Sequence, residues 1–242
     1  MKFIKVRENE VVKEKAVYVA IGVDLDGNKF VLDYEIRENE DIDGWRHFLN
    51  GLISRGVSRV DVIVTDDFPG LDRLISTLFP SSQHQLCLVH LARNLYRALP
   101  DGEKEKVSSH LSSLKSARNV EEGKAILESL SKVVEPYSPR RARRLLEASD
   151  LYTAFLNFPR EVRHYIYTNN SSESFNSYLD GIQDDLGGYF PSLLYLETYL
   201  FVAIHRNNAR WKSRPMSVIR HHSYHLRQLH AARFQVTDHE SL

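Results

Sequence analysis

Two adjacent carboxylates, Asp66 and Asp67, follow a run of β-branched residues and precede a Phe-Pro-Gly turn. The run at residues 60–65 is typical of a buried strand, and open α/β sheets bind ligands outside the carboxyl ends of such strands. Carboxylate oxygens are the ligands that hard divalent cations prefer. Asp66 or Asp67 could therefore hold a divalent cation. Capping of a turn is the alternative that the spacing leaves open, because Asp is common before Pro-Gly.

A third carboxylate, Glu173, lies within the polar string Tyr-Thr-Asn-Asn-Ser-Ser-Glu-Ser-Phe-Asn at residues 167–176. The apolar residues Phe175 and Leu179 that follow have helical spacing, which puts Glu173 in the first turn of a helix. A glutamate at that position can face a metal ion. It can also complete a capping box, because Asn170 precedes it by three residues. The spacing alone does not decide between these two roles.

His84, Cys87 and His90 form another group, in which each residue follows the last by three positions. On a helix the three side chains would lie almost in line and would resemble half of a zinc site. Cys87 is the only cysteine, so a structural zinc would need distant histidine or aspartate ligands. We do not predict zinc here. A single cysteine also excludes an internal disulfide and fits a reducing cytoplasm.

Positive charge is concentrated near the C-terminus, although the chain as a whole has 32 basic and 32 acidic residues. Residues 198–237 contain six arginines, one lysine and no acidic residue. A basic segment on an otherwise acidic chain suggests an anionic partner. A solvated helix face that uses arginine is an equal alternative. A second basic cluster, Arg-Arg-Ala-Arg-Arg, lies at residues 140–144.

The elements that must position these residues begin with strands. Alternating or β-branched runs predict strands at residues 3–6, 16–23, 30–34 and 60–65. Asp-Gly-Asn at residues 26–28 is a strong hairpin signal, and residues 42–54 have helical spacing. Three antiparallel strands, a helix and a fourth strand that ends in carboxylates match the opening order of the ribonuclease H-like fold.

Beyond Leu71 the pattern is helical almost to the end of the chain. Helices are predicted at residues 71–79, 86–99, 103–115, 120–134 and 140–149. The predicted fold is therefore α/β, a ribonuclease H-like mixed sheet with a large all-helical insertion. The predicted core is residues 1–70 and 165–200, the insertion is 71–164, and a basic helical segment is 201–242. No apolar run approaches the roughly 20 residues of a membrane span, so no membrane partner is expected.

Four stretches of the chain resemble, in the same order, the catalytic domain of Mutator-type insertion-sequence transposases. The stretches are AVYVAIGVDLDG at 16–27, VTDDFPGL at 64–71, FPSSQHQLCLVHLARN at 79–94 and FPREVRHYIYTNNSSESFN at 158–176. Within them, Q-x-C-x-x-H-x-x-R-N and Y-T-x-N-x-x-E-x-x-N are far more specific than a lone motif.

The resemblance implies a DDE transposase, in which two Asp and one Glu on a ribonuclease H-like sheet hold two Mg²⁺ (or Mn²⁺) ions. Such an enzyme cleaves and transfers DNA strands at insertion-sequence ends. Asp66 matches the second Asp and Glu173 matches the Glu, so both would be catalytic metal ligands. Cys87 and His90 match the family's C-x-x-H motif, which would lie near the DNA; packing within the helix is the alternative. The expected partners are DNA and further copies of the chain, in a prokaryotic cytoplasm near the nucleoid.

The first Asp of the family pattern, D-A-x-Y-x-K-V-R, would fall immediately before Met1. The N-terminal DNA-binding region of full-length relatives is also not found in this sequence. We expect a chain truncated just after the first Asp to be weak or inactive, because a metal-bridging carboxylate contributes strongly to transition-state stabilisation. The alternative is a catalytically inactive remnant that acts only as a DNA-binding or inhibitory partner.

A second departure from the family follows Glu173. Relatives are basic there, whereas this chain has Asp180, Asp184 and Asp185, which would repel a phosphate backbone. The expected DNA contact therefore moves to the basic C-terminal segment. The candidate residues in that segment are Arg206, Arg210 and Arg214.

Overall fold

The computed structural model describes residues 1–168 and 170–235, without the side chains of Asn170 and Ser171. Strands and helices alternate in its first part and helices dominate the rest, so the predicted α/β class is confirmed. None of the described helices is long and apolar enough to cross a membrane.

The elements are numbered in chain order. The strands are β1 (Lys2–Glu8), β2 (Val11–Val23), β3 (Lys29–Arg37), β4 (Val62–Thr65) and β5 (Gln83–Leu86). The first helices are α1 (Ile42–Ser54), α2 (Leu71–Leu78), α3 (Leu88–Tyr96), α4 (Asp101–Ser116), α5 (Val120–Val134) and α6 (Pro139–Glu147). They are followed by α7 (Ser149–Thr153), α8 (Asn170–Asp185), α9 (Leu193–Lys212), α10 (Ser217–His221) and α11 (Ser223–Phe234). Two short 3₁₀ turns, Ala154–Asn157 and Arg163–Tyr165, lie between α7 and α8.

The described residues divide into two compact units. One contains residues 1–58 and 170–229, and the other contains residues 59–168 and 230–235. Each unit has its own sheet: β1, β2 and β3 are antiparallel in the first, and β4 and β5 are parallel in the second. The predicted order of three strands, a helix and a fourth strand is confirmed. A single mixed sheet of ribonuclease H type stays a prediction.

Both turns of the first sheet match the polar segments in the sequence. The backbone at Asn9 and Glu10 has positive φ, which a two-residue hairpin turn requires. In the second turn the carboxylate of Asp24 accepts hydrogen bonds from the backbone nitrogens of Asp26 and Asn28, at 2.9 and 2.8 Å. These local contacts fix the two hairpins.

The core of the first unit lies between the sheet and helices α8 and α9. Its buried members are Ile4, Val6, Val17, Val31, Phe175, Leu179, Phe190, Leu196 and Leu200. Farther along α9, the Oδ1 atom of Asn208 accepts a hydrogen bond from the backbone nitrogen of Val31 at 2.8 Å. The domain boundary predicted between residues 200 and 201 thus falls inside α9, a helix that packs on β3 beyond that point.

The insertion predicted over residues 71–164 is not entirely helical, because β5 lies within it. The sequence predicts a break at residues 80–82 and a helix from Leu86, whereas residues 83–86 pair with β4 and the helix begins at Leu88. The strand has the sequence Gln-His-Gln-Leu, so it shows no hydrophobic pattern. Two of its polar side chains have partners inside the unit: the Gln85 amide bonds the backbone of Tyr152 and Phe155, and Nε2 of the buried His84 lies 2.7 Å from Thr65 Oγ1.

The guanidinium of Arg163 links the end of α4 to the first 3₁₀ turn of the second unit. Arg163 donates hydrogen bonds to the carbonyl oxygens of Ala117, Leu156 and Phe158, at 2.9, 3.0 and 2.9 Å. These carbonyls lie at the end of α4 and in and just after the first 3₁₀ turn. One side chain thus satisfies the polar ends of two elements.

We predict that His84 makes the protein lose stability in acid. Burial lowers the pKa of His84 from its ordinary value near 6.5 to about 4. The folded protein therefore binds fewer protons than the unfolded chain between these pH values, and stability falls as the pH falls from 6.5 to 4. The contribution is about 3 kcal/mol. Urea unfolding across this pH range should show a smaller acid-dependent loss in His84→Gln than in the wild type.

Thr65→Val is the control, because it removes the partner of His84 Nε2 and leaves the buried imidazole in place. It should keep the acid-dependent loss. Parallel pH profiles for His84→Gln and the wild type would contradict the prediction.

Candidate functional site

The parallel pairing of β4 and β5 brings Asp66 and Cys87 to the same edge of the second sheet. Thr65, the last residue of β4, lies opposite Leu86, the last residue of β5. Asp66 and Cys87 are the next residues of the two strands. The backbone nitrogen of Cys87 donates to the carbonyl oxygen of Thr65 at 2.9 Å, which holds the two strand ends level.

His90, in the first turn of α3, joins these two residues. One ligand atom from each of Asp66, Cys87 and His90 lies within 4.8 Å of the other two. His90 Nδ1 is 2.8 Å from Asp66 Oδ1. The hydrogen bond to Asp66, and then that to Cys87, raises the pKa of His90 to about 10. His90 is therefore a cation at neutral pH, paired with the Asp66 carboxylate.

The structure changes the grouping that the sequence suggested. The helical alignment of His84, Cys87 and His90 is wrong, because His84 lies in β5 and contacts Thr65. Asp66 instead completes the group with Cys87 and His90. The distant aspartate that a metal site would need is therefore present, although the sequence order concealed it.

The donor atoms of this group differ in the cations that they suit. Mg²⁺ takes oxygen ligands and is commonly held by one or two carboxylates with several waters, so Asp66 fits it. The sulfur of Cys87 and the imidazole of His90 are ligands for softer metals. The Asp66 side chain is 41% exposed, and Cys87 is buried. Asp66 is therefore the member of the group that a hydrated magnesium ion can reach and that suits it.

Asp67, the neighbouring carboxylate, has a different environment. Arg144 Nη2 donates to Asp67 Oδ1 at 2.6 Å, and Arg144 Nε donates to Asp67 Oδ2 at 3.1 Å. The same guanidinium reaches Asp72 Oδ2 at 3.3 Å, and the Tyr152 hydroxyl lies 3.4 Å from Asp67 Oδ2. Asp67 therefore anchors the loop after β4 to α6. Of the two carboxylates that the sequence could not distinguish, Asp66 is the better metal ligand.

Glu173 belongs to the first unit and lies in the first turn of α8, as predicted, with a half-buried side chain. The capping-box alternative depends on the side chain of Asn170, which lies outside the described residues. Farther along α8, Asp180 pairs with Lys2 at 2.7 Å, whereas Asp184 and Asp185 are exposed. Part of the acidic charge after Glu173 is therefore neutralised within the unit.

Five of the six arginines in the basic C-terminal segment fall into two groups. Arg206 and Arg210 are exposed on α9, and Arg214 is exposed just after it. In the described part of the chain none of these three pairs with a carboxylate. By contrast, Arg227 Nη2 is 2.8 Å from Asp26 Oδ1, and Arg233 donates to the backbone carbonyl of Asp61. The first group remains available to an anion, as the sequence prediction requires.

Sequence reasoning missed Arg144, Tyr152 and Gln85 as residues that shape this site. Arg144 was visible only as one member of a basic cluster. Gln85 is part of the Q-x-C-x-x-H string, and its fully buried amide bonds the backbone of Tyr152 and Phe155. The string therefore contains a glutamine that stabilises the fold as well as the Cys and His of the candidate site.

Comparison with known proteins gives consistent matches. Residues 1–213 match the family model described as "Transposase, Mutator family". The transposase for insertion sequence element IS905 of Lactococcus lactis is 31% identical over 214 residues, 88% of this chain and 54% of that protein. A probable insertion-sequence transposase of Corynebacterium diphtheriae is 33% identical over 178 residues, 73% of this chain and 52% of that protein. The ISRM3 transposase of Rhizobium meliloti is 30% identical over 214 residues, 88% of this chain and 53% of that protein. The chain spans about half the length of these curated relatives.

We predict that Arg144 and Asp67 are energetically coupled. In a double-mutant cycle of Arg144→Met and Asp67→Asn, urea unfolding should give a coupling free energy of about 1–2 kcal/mol. Partial solvent exposure keeps this below the value for a buried pair. The exposed pair Lys124–Asp150, whose Nζ and Oδ1 are 2.5 Å apart, is the control and should give below about 0.5 kcal/mol. Equal coupling in the two cycles would refute the anchoring role.

Proposed function

Since the chain belongs to the Mutator family of transposases, we propose that it is the catalytic domain of a DDE transposase. Its reaction is cleavage and transfer of DNA strands at the ends of an insertion sequence. The observation that carries the proposal is the position of Asp66, a partly exposed carboxylate at the carboxyl ends of two parallel strands. Its neighbour Asp67 is bound to Arg144, which leaves Asp66 as the acidic group at this edge that suits a metal.

The proposed catalytic core is a ribonuclease H-like sheet with a large insertion. The order β1, β2, β3, α1, β4 supports it, as does the return of the chain to a helix that begins near Glu173.

The cofactor we propose is Mg²⁺ or Mn²⁺, two ions held with the help of Asp66 and Glu173. When bound, such ions activate water or a DNA 3′-hydroxyl and stabilise the in-line displacement at phosphorus. Asp66 contributes a hard oxygen ligand, and Glu173 contributes a second from the first turn of α8. His90 holds the Asp66 carboxylate in one orientation through the 2.8 Å contact.

We propose different roles for Cys87 and His90. Cys87 is 2% exposed at the start of α3, which favours packing. The side chain of His90 is 27% exposed and carries a positive charge next to Asp66. A position near the DNA phosphates therefore suits His90 better than Cys87.

The test is cleavage of a plasmid that carries the gene with its native flanking DNA. The protein is assayed as given and with one Asp added before Met1, where the family pattern has its first Asp. In the extended chain, Asp66→Asn and Glu173→Gln should each lower Mg²⁺-dependent cleavage at least about 100-fold, because each removes a metal ligand. Gel analysis of nicked and excised products measures the effect.

The matched controls remove an exposed carboxylate in each unit. Glu105→Gln on α4 and Asp184→Asn on α8 should retain cleavage. Undiminished cleavage in Asp66→Asn or Glu173→Gln would sink the proposal. If neither form of the chain cleaves, the second candidate function remains.

That second candidate is a non-enzymatic partner that binds DNA or pairs with an intact transposase. Arg206, Arg210 and Arg214 are exposed and pair with no described carboxylate, which favours DNA binding through the first unit. Each phosphate that a cation neutralises contributes about 0.9 to the slope of log affinity against log salt concentration.

Replacing Arg206, Arg210 and Arg214 together by Gln should therefore reduce that slope by about 2–3. Fluorescence anisotropy with a labelled DNA duplex of mixed sequence measures it over a series of salt concentrations. Arg227→Gln removes a cation already paired with Asp26 and should change the slope by less than about 0.5. Binding that is indifferent to salt would count against this function.

A further inference from the structure

Helix α6 carries four arginines, of which one is paired with carboxylates and three are exposed. Ala142 and Leu145 are buried against the rest of the second unit. Arg144 is bound to Asp67 and Asp72. In the described part of the chain, the other three arginines are exposed and pair with no carboxylate: Arg140, Arg141 and Arg143.

The exposed arginines lie on a well-defined part of the helix surface. At 100° per residue, Arg140 and Arg143 project on the same side as Arg144, opposite the buried Ala142 and Leu145, and Arg141 lies at the flank. With a rise of about 1.5 Å per residue, all of them lie within about 6 Å along the helix axis. Three unpaired positive charges are thus concentrated on little more than one helical turn.

The bond between Arg144 and Asp67 fixes where this surface is. Asp67 directly follows Asp66, so the guanidinium that grips Asp67 from α6 ties the helix to the loop that carries the proposed metal ligand. The charges of Arg140, Arg141 and Arg143 are therefore held near Asp66 by a contact within the second unit. Because no carboxylate among the described residues neutralises them, such charges suit a polyanion that comes to Asp66.

We infer that Arg140, Arg141 and Arg143 form a phosphate-binding surface for the backbone of the DNA that Asp66 acts on. This inference rests on the proposed function and adds to it a second DNA contact, separate from Arg206, Arg210 and Arg214. The contact is with phosphates, because exposed guanidinium groups on one helical turn fit a row of negative charges and carry no base-reading geometry by themselves. It positions the DNA and adds no sequence preference.

The test uses the full chain and a fluorescently labelled DNA duplex of mixed sequence in a salt titration. Replacing Arg140, Arg141 and Arg143 by Gln should reduce the slope of log affinity against log salt concentration by about 2–3. The corresponding triple Lys variant keeps the charge and should restore most of the slope. Circular dichroism should show the same helix content in both variants, because the replaced side chains are exposed.

The matched control removes three lysines from the same unit, each already paired on its own helix. Lys104 pairs with Asp101 at 2.5 Å, Lys106 with Glu103 at 3.0 Å, and Lys132 with Glu128 at 3.0 Å. Replacing the three by Gln changes the net charge by the same amount. The slope should fall by less than about 1 in this control.

Three other results would overturn the inference. Equal reductions in the α6 variant and the lysine control would mean that only net charge matters. An unchanged slope in the α6 variant, with a reduced slope for Arg206, Arg210 and Arg214, would refute the α6 surface and leave the proposed function standing. Failure of the unaltered chain to bind the duplex at low salt would refute DNA binding by either surface, and with it the proposed function.

Discussion

The buried amide of Gln85 holds together the edge at which the candidate site forms. Its Nε2 donates to the carbonyl oxygens of Leu86 and Tyr152 at 2.7 and 3.3 Å, and its Oε1 accepts from the backbone nitrogen of Phe155 at 2.8 Å. An amide buried without such partners would cost on the order of 1–3 kcal/mol. A one-residue slip of β5 would turn Gln85 to the other face of the sheet and lose these bonds. The same bonds therefore fix the register that sets Leu86 opposite Thr65 and Cys87 next to Asp66.

Asp66 and Asp67 show how environment separates two identical neighbours. Successive residues at a strand end point in different directions, so one carboxylate meets His90 and the other meets Arg144. The guanidinium binds Asp67 through two nitrogens, a geometry that orients as well as neutralises. The imidazolium of His90 contacts Asp66 at 2.8 Å, and the Asp66 side chain stays 41% exposed. One aspartate is thereby committed to the fold, and the other stays suited to a ligand.

The sequence predicts the first sheet, α1 and β4 because their signals are local. Alternating apolar residues and polar turns such as Asp24–Asn28 act within a few positions. The sequence does not predict β5, because the residues of that strand are polar and are stabilised by partners far along the chain. Tyr152, for example, lies 67 positions from Gln85. The role of Asp67 was equally hidden, since Arg144 is 77 positions away. The family resemblance pointed to Asp66, Cys87 and His90 without this information, because the strings that carry it contain these residues.

The surface charge available for binding also depends on contacts between residues that are distant in the sequence. A chain with equal numbers of acidic and basic residues has no net attraction for DNA. The number of cations in a basic segment is also larger than the number available to a ligand, because carboxylates of the same chain pair with some of them. Arg227 is neutralised by Asp26, and Arg144 by Asp67 and Asp72, so neither adds much to the field outside the protein. An approaching polyanion meets the arginines that stay exposed, which include those on α6 and on the last turns of α9. Which arginines stay available to an anion is therefore decided by the carboxylates that the fold brings to the others, and this cannot be counted from the sequence.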